Sequence, residues 1–170
     1  AVSLAYCGLG SFRGLQYYDE GLYALGAERV SKGEIPHRDF WSKYPPGQYY
    51  LLARAFAVGG DTLPTLRVVD LGVRTSLCLA VFLLGSVFLP QGSALAAWAG
   101  AMICVGAMAP VAAAAYTAAL LLTLAAWTLA RGFSVGAGPA WTFGSGLACG
   151  TAALFRHDFG GLSLFLSCAL

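Results

Sequence analysis

The sequence predicts an all-α fold, a polytopic bundle of transmembrane helices with one polar segment outside the membrane. Hydrophobic residues make up 58% of the 170-residue chain and charged residues 11%, whereas soluble domains carry about 25% charged residues. Between Thr75 and Phe155 the one charged residue is Arg131, and a soluble fold could not cover its surface with so few charges. This apolar stretch of about 80 residues has room for three or four spans of roughly 20 residues each.

The polar segment 13–43 contains 10 of the 18 charged residues. Within it the sequence predicts an amphipathic helix over 19–32, with Asp19 as its N-cap and Gly33 as its stop. Its apolar side suits the membrane surface and consists of Leu22, Leu25 and Val30, with Tyr18 and Tyr23 near its start.

A second short helix is predicted over 45–58. Proline is tolerated in a first turn, and Gly59-Gly60 provide the stop. The helix is too short to cross a bilayer easily, and its tyrosines suit the membrane interface. Both helices therefore belong to one extracytoplasmic loop, residues 17–63.

The remaining segments are predicted to be transmembrane. Residues 1–16 form the end of a first transmembrane helix, and 64–170 contain further spans, the last of which is truncated. Apolar runs predict these spans at 66–89, 94–109, 118–130 and 140–155. Neither end resembles a natural terminus, so we expect the chain to be an N-terminal part of a longer membrane module.

A topology follows from Arg131, because positively charged loops favour the cytoplasmic side. With the predicted loop 132–139 inside, residues 110–116 and 156–160 lie outside. The polar segment 13–43 shares that outer side if the helix 45–58 lies on the surface. Two charged regions, 19–43 and 156–158, then face the same compartment.

Several classes of protein are excluded by composition. The net charge is +2 and no basic run exists, so nucleic acid is not an expected partner. The five cysteines show no metal-binding spacing and are interpreted as small buried hydrophobes. Phosphate-loop, hydrolase-elbow, zinc-protease and dinucleotide motifs are absent from the sequence.

Asp19 and Glu20 follow the end of a predicted membrane helix. They can simply be first-turn carboxylates that favour the helix dipole. Alternatively, a carboxylate at the boundary of water and lipid is suited to act as a general base. Two adjacent carboxylates can also hold a divalent metal ion.

Other charged residues also allow two interpretations. Lys43 is either a cation that reaches the lipid headgroups or a phosphate ligand just before a helix start. Arg67, Asp70 and Arg74 share one helix face, either as an internal ion pair or as part of a ligand site.

The charged residues at 156–158 interrupt two apolar runs and can be an ordinary loop. Arginine also suits phosphate recognition through its planar fork. His157 and Asp158 can serve as metal ligands or acid–base groups.

Four short motifs in order resemble the first extracytoplasmic loop of GT-C glycosyltransferases, near the protein O-mannosyltransferases and aminoarabinose transferases (families 39 and 83). They are Asp-Glu-x-x-Tyr at 19–23, Gly-x-x-Pro at 33–36, Asp-Phe at 39–40 and Lys-x-Pro-Pro at 43–46. The run Leu-Phe-Arg-His-Asp-Phe-Gly at 154–160 is similar to a further loop of that family.

The resemblance implies a membrane enzyme that moves a sugar from a polyprenyl-phosphate donor to a lipid, glycan or protein acceptor outside the membrane. It implies Asp19 as the catalytic base with Glu20 beside it, and Lys43 and Arg156 as ligands of the lipid phosphate. Tyr23 and Asp39 are further candidates for substrate binding. The candidate metal ligands are Asp19, His157 and Asp158, although Ser42 replaces the acidic residue that aminoarabinose transferases carry before the lysine.

The implied location is the bacterial inner membrane, among membrane lipids, with the site on the extracytoplasmic side. Two other functions use the same charges. A non-catalytic transporter or flippase would hold the phosphate of a lipid-linked sugar without transferring the sugar. An assembly subunit would need none of these residues for chemistry.

Overall fold

The computed structural model describes residues 2–11, 17–107, 114–136 and 138–161. The secondary-structure elements that these residues form are all α-helices, as predicted. The helices are α1 Val2–Ser11, α2 Tyr17–Ser31, α3 Gly47–Gly59, α4 Leu63–Phe88, α5 Gln91–Ala107, α6 Ala114–Val135 and α7 Pro139–Ala153.

Two of these helices, α4 and α6, are long and apolar enough to cross a membrane. Within their most apolar stretches, 22% and 17% of the residues are buried inside the protein. An apolar core helix of a soluble protein would be mostly covered, whereas a helix in lipid presents apolar side chains outward. The low burial therefore indicates membrane association.

Both short helices predicted between residues 19 and 58 are present, with shifted ends. The helix predicted over 19–32 is α2, and Gly33, at φ 92°, ends it as expected. The prediction that Asp19 is the N-cap is wrong, because α2 already includes Tyr17 and places Asp19 in its first turn. The helix predicted over 45–58 is α3, with Pro46 in the N-cap position.

Helix α2 packs inward mainly with residues outside its predicted apolar side, and Tyr23 belongs to both sets. Its inward face carries Glu20, Tyr23 and Ala27, all of them buried, while Leu25 is 58% exposed. Packing against α3 selects this face, since a side chain at Gly26 would collide with the ring of Tyr49. Small residues on α2 thus allow close contact, Val30 is partly buried against the core, and Leu25 is left outside.

The region after Arg131 differs most from the prediction of a loop over 132–139. Helix α6 continues through Arg131 to Val135, and α7 already begins at Pro139. Gly132 is a contact point, because a Cβ there would lie 2.8 Å from the Cβ of Trp141. The positive φ of 62° at Gly136 lies just beyond the end of the helix.

The segment predicted as a loop over 156–160 is also partly helical. Helical backbone begins again at residues 157–161, and the Gly160 amide donates to the carbonyl of Arg156 at 3.1 Å. Asp158 therefore lies in a first turn, where a carboxylate is electrostatically favoured. The predicted features at 12–16 and Pro110 and the last helix beyond residue 161 lie outside the described residues.

Helix α4 packs against both α5 and α6, α6 packs against α7, and α1 lies against α4 and α5. At one end, a core joins α2 and α3 to the beginnings of α4 and α6 and to the end of α7. It consists of Tyr23, Ala27, Tyr49, Leu52, Phe56, Leu66, Ala114, Ala118 and Phe155. This packing brings the polar segment and the residues after α7 to the same end of the helices.

Candidate functional site

The two carboxylates in the first turn of α2 lie in different environments. Asp19 is partly exposed, whereas the side chain of Glu20 is 3% exposed. The Oε2 atom of Glu20 lies 3.2 Å from the Nη2 atom of Arg67 on α4. Glu20 is therefore part of the protein interior, and Asp19 is the carboxylate with access to the surface.

Tyr23 lies one turn after Asp19, in the core. Its hydroxyl accepts a hydrogen bond from the Ala114 amide at 3.4 Å, and its ring stacks on Tyr44 with the centroids 5.2 Å apart. Burial raises the pKa of the Tyr23 phenol well above its usual range, and the nearby Asp19 carboxylate acts in the same direction. Tyr23 thus connects α2 to the residues that follow Lys43.

Lys43 and Arg156 line one cavity of about 230 Å³. The other lining residues are Tyr44, Pro45, His157 and Asp158. A backbone hydrogen bond of 2.9 Å from the Gly47 amide to the Leu154 carbonyl joins the two segments beside this cavity. The structure therefore brings together the two cations that were predicted to bind phosphate.

Arg156 forms a bidentate ion pair with Asp158. Its Nε atom donates to Oδ1 of Asp158 at 2.9 Å, and Nη2 donates to the second carboxylate oxygen. These bonds raise the pKa of Arg156, with Tyr23 and Tyr44 contributing in the same direction. The same pairing lowers the pKa of Asp158 to about 2. Arg156 thus remains a fixed cation beside the two tyrosines.

Asp39 closes a turn between α2 and α3. Its carboxylate accepts hydrogen bonds from Arg38 at 2.9 and 2.8 Å and from the Ile35 amide at 2.8 Å. The turn also places His37 at φ 66°, a backbone conformation that residues other than glycine rarely adopt. The carboxylate of Asp39, predicted to bind substrate, is therefore hydrogen-bonded within its own loop.

The Asp39 loop is expected to open at acidic pH. Hydrogen bonds from Arg38 and Ile35 lower the Asp39 pKa from 3.8 to about 2. A carboxylate with a lowered pKa contributes stability above its unfolded value and loses it as the pH falls through its folded value. Hydrogen exchange of residues 35–40 should accelerate between about pH 4 and pH 2 after correction for intrinsic rates. Asp39→Asn should exchange rapidly throughout, and an unchanged profile in that variant would contradict this assignment.

The charged face of α4 points into the protein. Asp70 and Arg74 form an ion pair of 2.9 Å, as expected for an internal pair. The guanidinium of Arg74 also lies 4.4 Å from the centre of the Tyr116 ring. The partnership of Arg67 with Glu20 was missed. Charge balance could have revealed it, because two arginines and one aspartate on a buried face require a second carboxylate.

The metal candidates Asp19, His157 and Asp158 do not form a common ligand set. Across the part of the chain that the structure describes, no three acidic, histidine or cysteine side chains are grouped to hold an ion. Both carboxylate oxygens of Asp158 accept from Arg156. A divalent metal ion therefore stays a prediction of the sequence.

Searches against protein-family models, curated proteins and solved structures returned no match. The class of protein must therefore be inferred from the fold and the candidate site. Over the described residues it is an all-helical protein, with two helices long and apolar enough to cross a membrane. At one end of these helices lies a cavity lined by Lys43 and Arg156.

Proposed function

We propose that the chain belongs to a GT-C-type glycosyltransferase, a multi-pass membrane enzyme that uses a polyprenyl-phosphate sugar as donor. The observation that carries this proposal is the cavity shared by Lys43 and Arg156. Asp19 lies on α2 one turn before Tyr23, whose ring stacks on Tyr44 in the cavity lining. Two cations and a partly exposed carboxylate at one end of an apolar helix bundle suit a phosphate-linked lipid substrate.

The chemistry assigns a different task to each charge. The phosphate leaving group gains negative charge as the glycosidic bond breaks. Fixed cations at Lys43 and Arg156 stabilise this charge more in the transition state than in the ground state. Asp19 accepts the proton of the acceptor group as that group attacks the sugar carbon. Such a base contributes a factor of about 10²–10⁴ to the rate.

Both cations also lie near aromatic rings. Lys43 lies 5.7 Å from the centre of the Tyr44 ring, and Arg156 lies 5.5 Å from that of Phe159. Aromatic faces hold cations in place without neutralising them. The proposed location is the bacterial inner membrane, with the site and its lipid, glycan or protein acceptor on the extracytoplasmic side.

The proposal is tested by following a radiolabelled sugar from its polyprenyl phosphate to an acceptor in membranes that contain the intact protein. Appearance of labelled acceptor supports a transferase. Movement of the labelled lipid between leaflets without an acceptor product would identify a transporter instead. Neither activity, with the protein correctly inserted, would contradict the assignment of the cavity to a lipid phosphate.

Replacing Lys43 with alanine is expected to raise the donor KM and lower kcat together. A charge-assisted hydrogen bond to phosphate contributes about 1.5–3 kcal/mol, which corresponds to roughly a 10- to 150-fold loss of kcat/KM. Transfer assays over a range of donor concentrations measure the loss. Arg54→Ala is the matched control, because this cation is exposed on α3 and outside the cavity lining. Equal effects of the two substitutions would contradict the role of Lys43.

Neutralising Asp158 is expected to strengthen donor binding. In Asp158→Asn the guanidinium of Arg156 is released from a carboxylate that competes with the phosphate. Exposed ion pairs contribute little, so the donor Kd should fall by no more than roughly two- to fivefold. Titration of the purified protein with donor lipid measures this change. A weaker donor affinity would show that Asp158 is needed to orient Arg156.

A further inference from the structure

Glu20 is an acidic residue for which the proposed reaction has no direct use. It follows Asp19 in the sequence, yet its side chain is 3% exposed and faces Arg67, whose own side chain is 6% exposed. A buried ion pair of this kind is costly to break, because the remaining partner becomes an uncompensated charge. The contact therefore holds α2 against α4 at one defined point.

The contact between Glu20 and Arg67 also affects the direction in which the Asp19 side chain points. Successive residues on an α-helix are rotated by about 100° around its axis. When the side chain of Glu20 is held against α4, the rotation of the first turn of α2 is determined. The direction in which Asp19 leaves the helix is then determined as well.

The α4 side of this contact is itself held in place. One turn beyond Arg67, Asp70 pairs with Arg74 at 2.9 Å. Arg74 donates to the Val105 carbonyl of α5 at 2.8 Å and lies over the ring of Tyr116 on α6. Arg67 is thus part of a charged face of α4 that also contacts α5 and α6.

From these contacts, and on the basis of the proposed function, we infer that Glu20 is a positioning residue for Asp19. Its ion pair with Arg67 orients the first turn of α2, so that the Asp19 carboxylate is held at the angle required for proton transfer. Glu20 itself does not touch substrate. The two adjacent carboxylates have separate tasks because one is paired in the interior and the other reaches the surface.

The kinetic test replaces Glu20 with glutamine in the intact protein in membranes. A misplacement of about 1 Å at a reacting group costs on the order of 10²-fold in rate, so we expect kcat to fall by about 10- to 100-fold. The donor KM should stay within about twofold, because the phosphate cavity is not altered. Glu28→Gln is the matched control, since this carboxylate lies on the same helix and pairs with Lys32 at the surface. Unchanged kcat in Glu20→Gln would overturn the inference.

A charge-exchange variant distinguishes positioning from general damage. The double substitution Glu20→Arg with Arg67→Glu restores an ion pair with reversed polarity. The kcat of the double variant should be at least about tenfold higher than that of the more impaired single variant. No recovery in a double variant that is as heat-stable as the wild type would contradict the inference.

A third measurement does not depend on enzyme activity. In a cysteine-free background, Asp19→Cys is labelled with a water-soluble maleimide in membranes. Adding Glu20→Gln should change the labelling rate at least threefold, whereas Glu28→Gln should leave it unchanged. An equal rate in all three proteins would overturn the positioning role. If the wild-type protein transfers no sugar, the proposed function fails while this result still decides the role of Glu20.

Discussion

Asp19→Asn is expected to reduce sugar transfer by about 10²–10⁴-fold while expression and membrane insertion stay normal. The amide preserves the size of the side chain and removes its ability to take a proton. Asp19 is partly exposed in the first turn of α2, so neutralising it breaks no buried pair. Transfer rates at saturating donor and acceptor, normalised to inserted protein, provide the measurement.

The control for this substitution is Asp61→Asn. Asp61 is an exposed acid between α3 and α4, outside the cavity shared by Lys43 and Arg156. The Asp61→Asn variant should transfer sugar at the wild-type rate. Full activity of Asp19→Asn would remove Asp19 from the reaction. Equal losses in both variants would point to a general effect of acidic charge at this end of the protein.

Gly47→Ala is expected to lower both stability and donor affinity, because it acts on the junction of the two cavity segments. A Cβ at Gly47 would lie 2.6 Å from the carbonyl oxygen of Leu154 and 3.0 Å from its carbon. These are backbone atoms, so the clash is relieved only if the start of α3 moves away from the end of α7. Overpacking of this kind costs about 1–3 kcal/mol. The movement should also separate Lys43 from Arg156 and weaken donor binding at least tenfold.

Thermal unfolding and donor titration of the purified protein measure the two effects of Gly47→Ala. Gly150→Ala is the matched control, because a Cβ there would meet no atom within 4 Å. In the interior of α7 this change should be neutral or stabilise by up to about 1 kcal/mol. Normal stability and donor affinity in Gly47→Ala would show that the Gly47–Leu154 contact does not hold the cavity together.

Sequence patterns located the helices well and their ends less well. Gly33 ends α2 as predicted, since its φ of 92° suits glycine. Gly132, predicted as the first residue of a loop, lies within α6 and makes room for Trp141. A glycine that ends a helix and one that admits a neighbouring helix look alike in a single sequence. Their difference depends on a partner residue on another helix.

The sequence by itself determined the helical class of the protein. With Arg131 as the one charge between Thr75 and Phe155, this stretch is predicted to lie in lipid rather than in water. A chain in lipid must satisfy its backbone hydrogen bonds within each segment, which an α-helix does. The residue types of the candidate site, a carboxylate and two cations, were also readable from the sequence.

Only the tertiary structure decided which of these charges lie together and which are inside. The bond between Gly47 and Leu154 joins segments far apart in the chain and places Lys43 and Arg156 on one cavity. Asp19 and Glu20 are adjacent carboxylates that local sequence treats alike. Their difference arises because Arg67, on another helix, lies within 3.2 Å of Glu20. Ion pairing and burial depend on distances in space, which the order of residues along the chain does not contain.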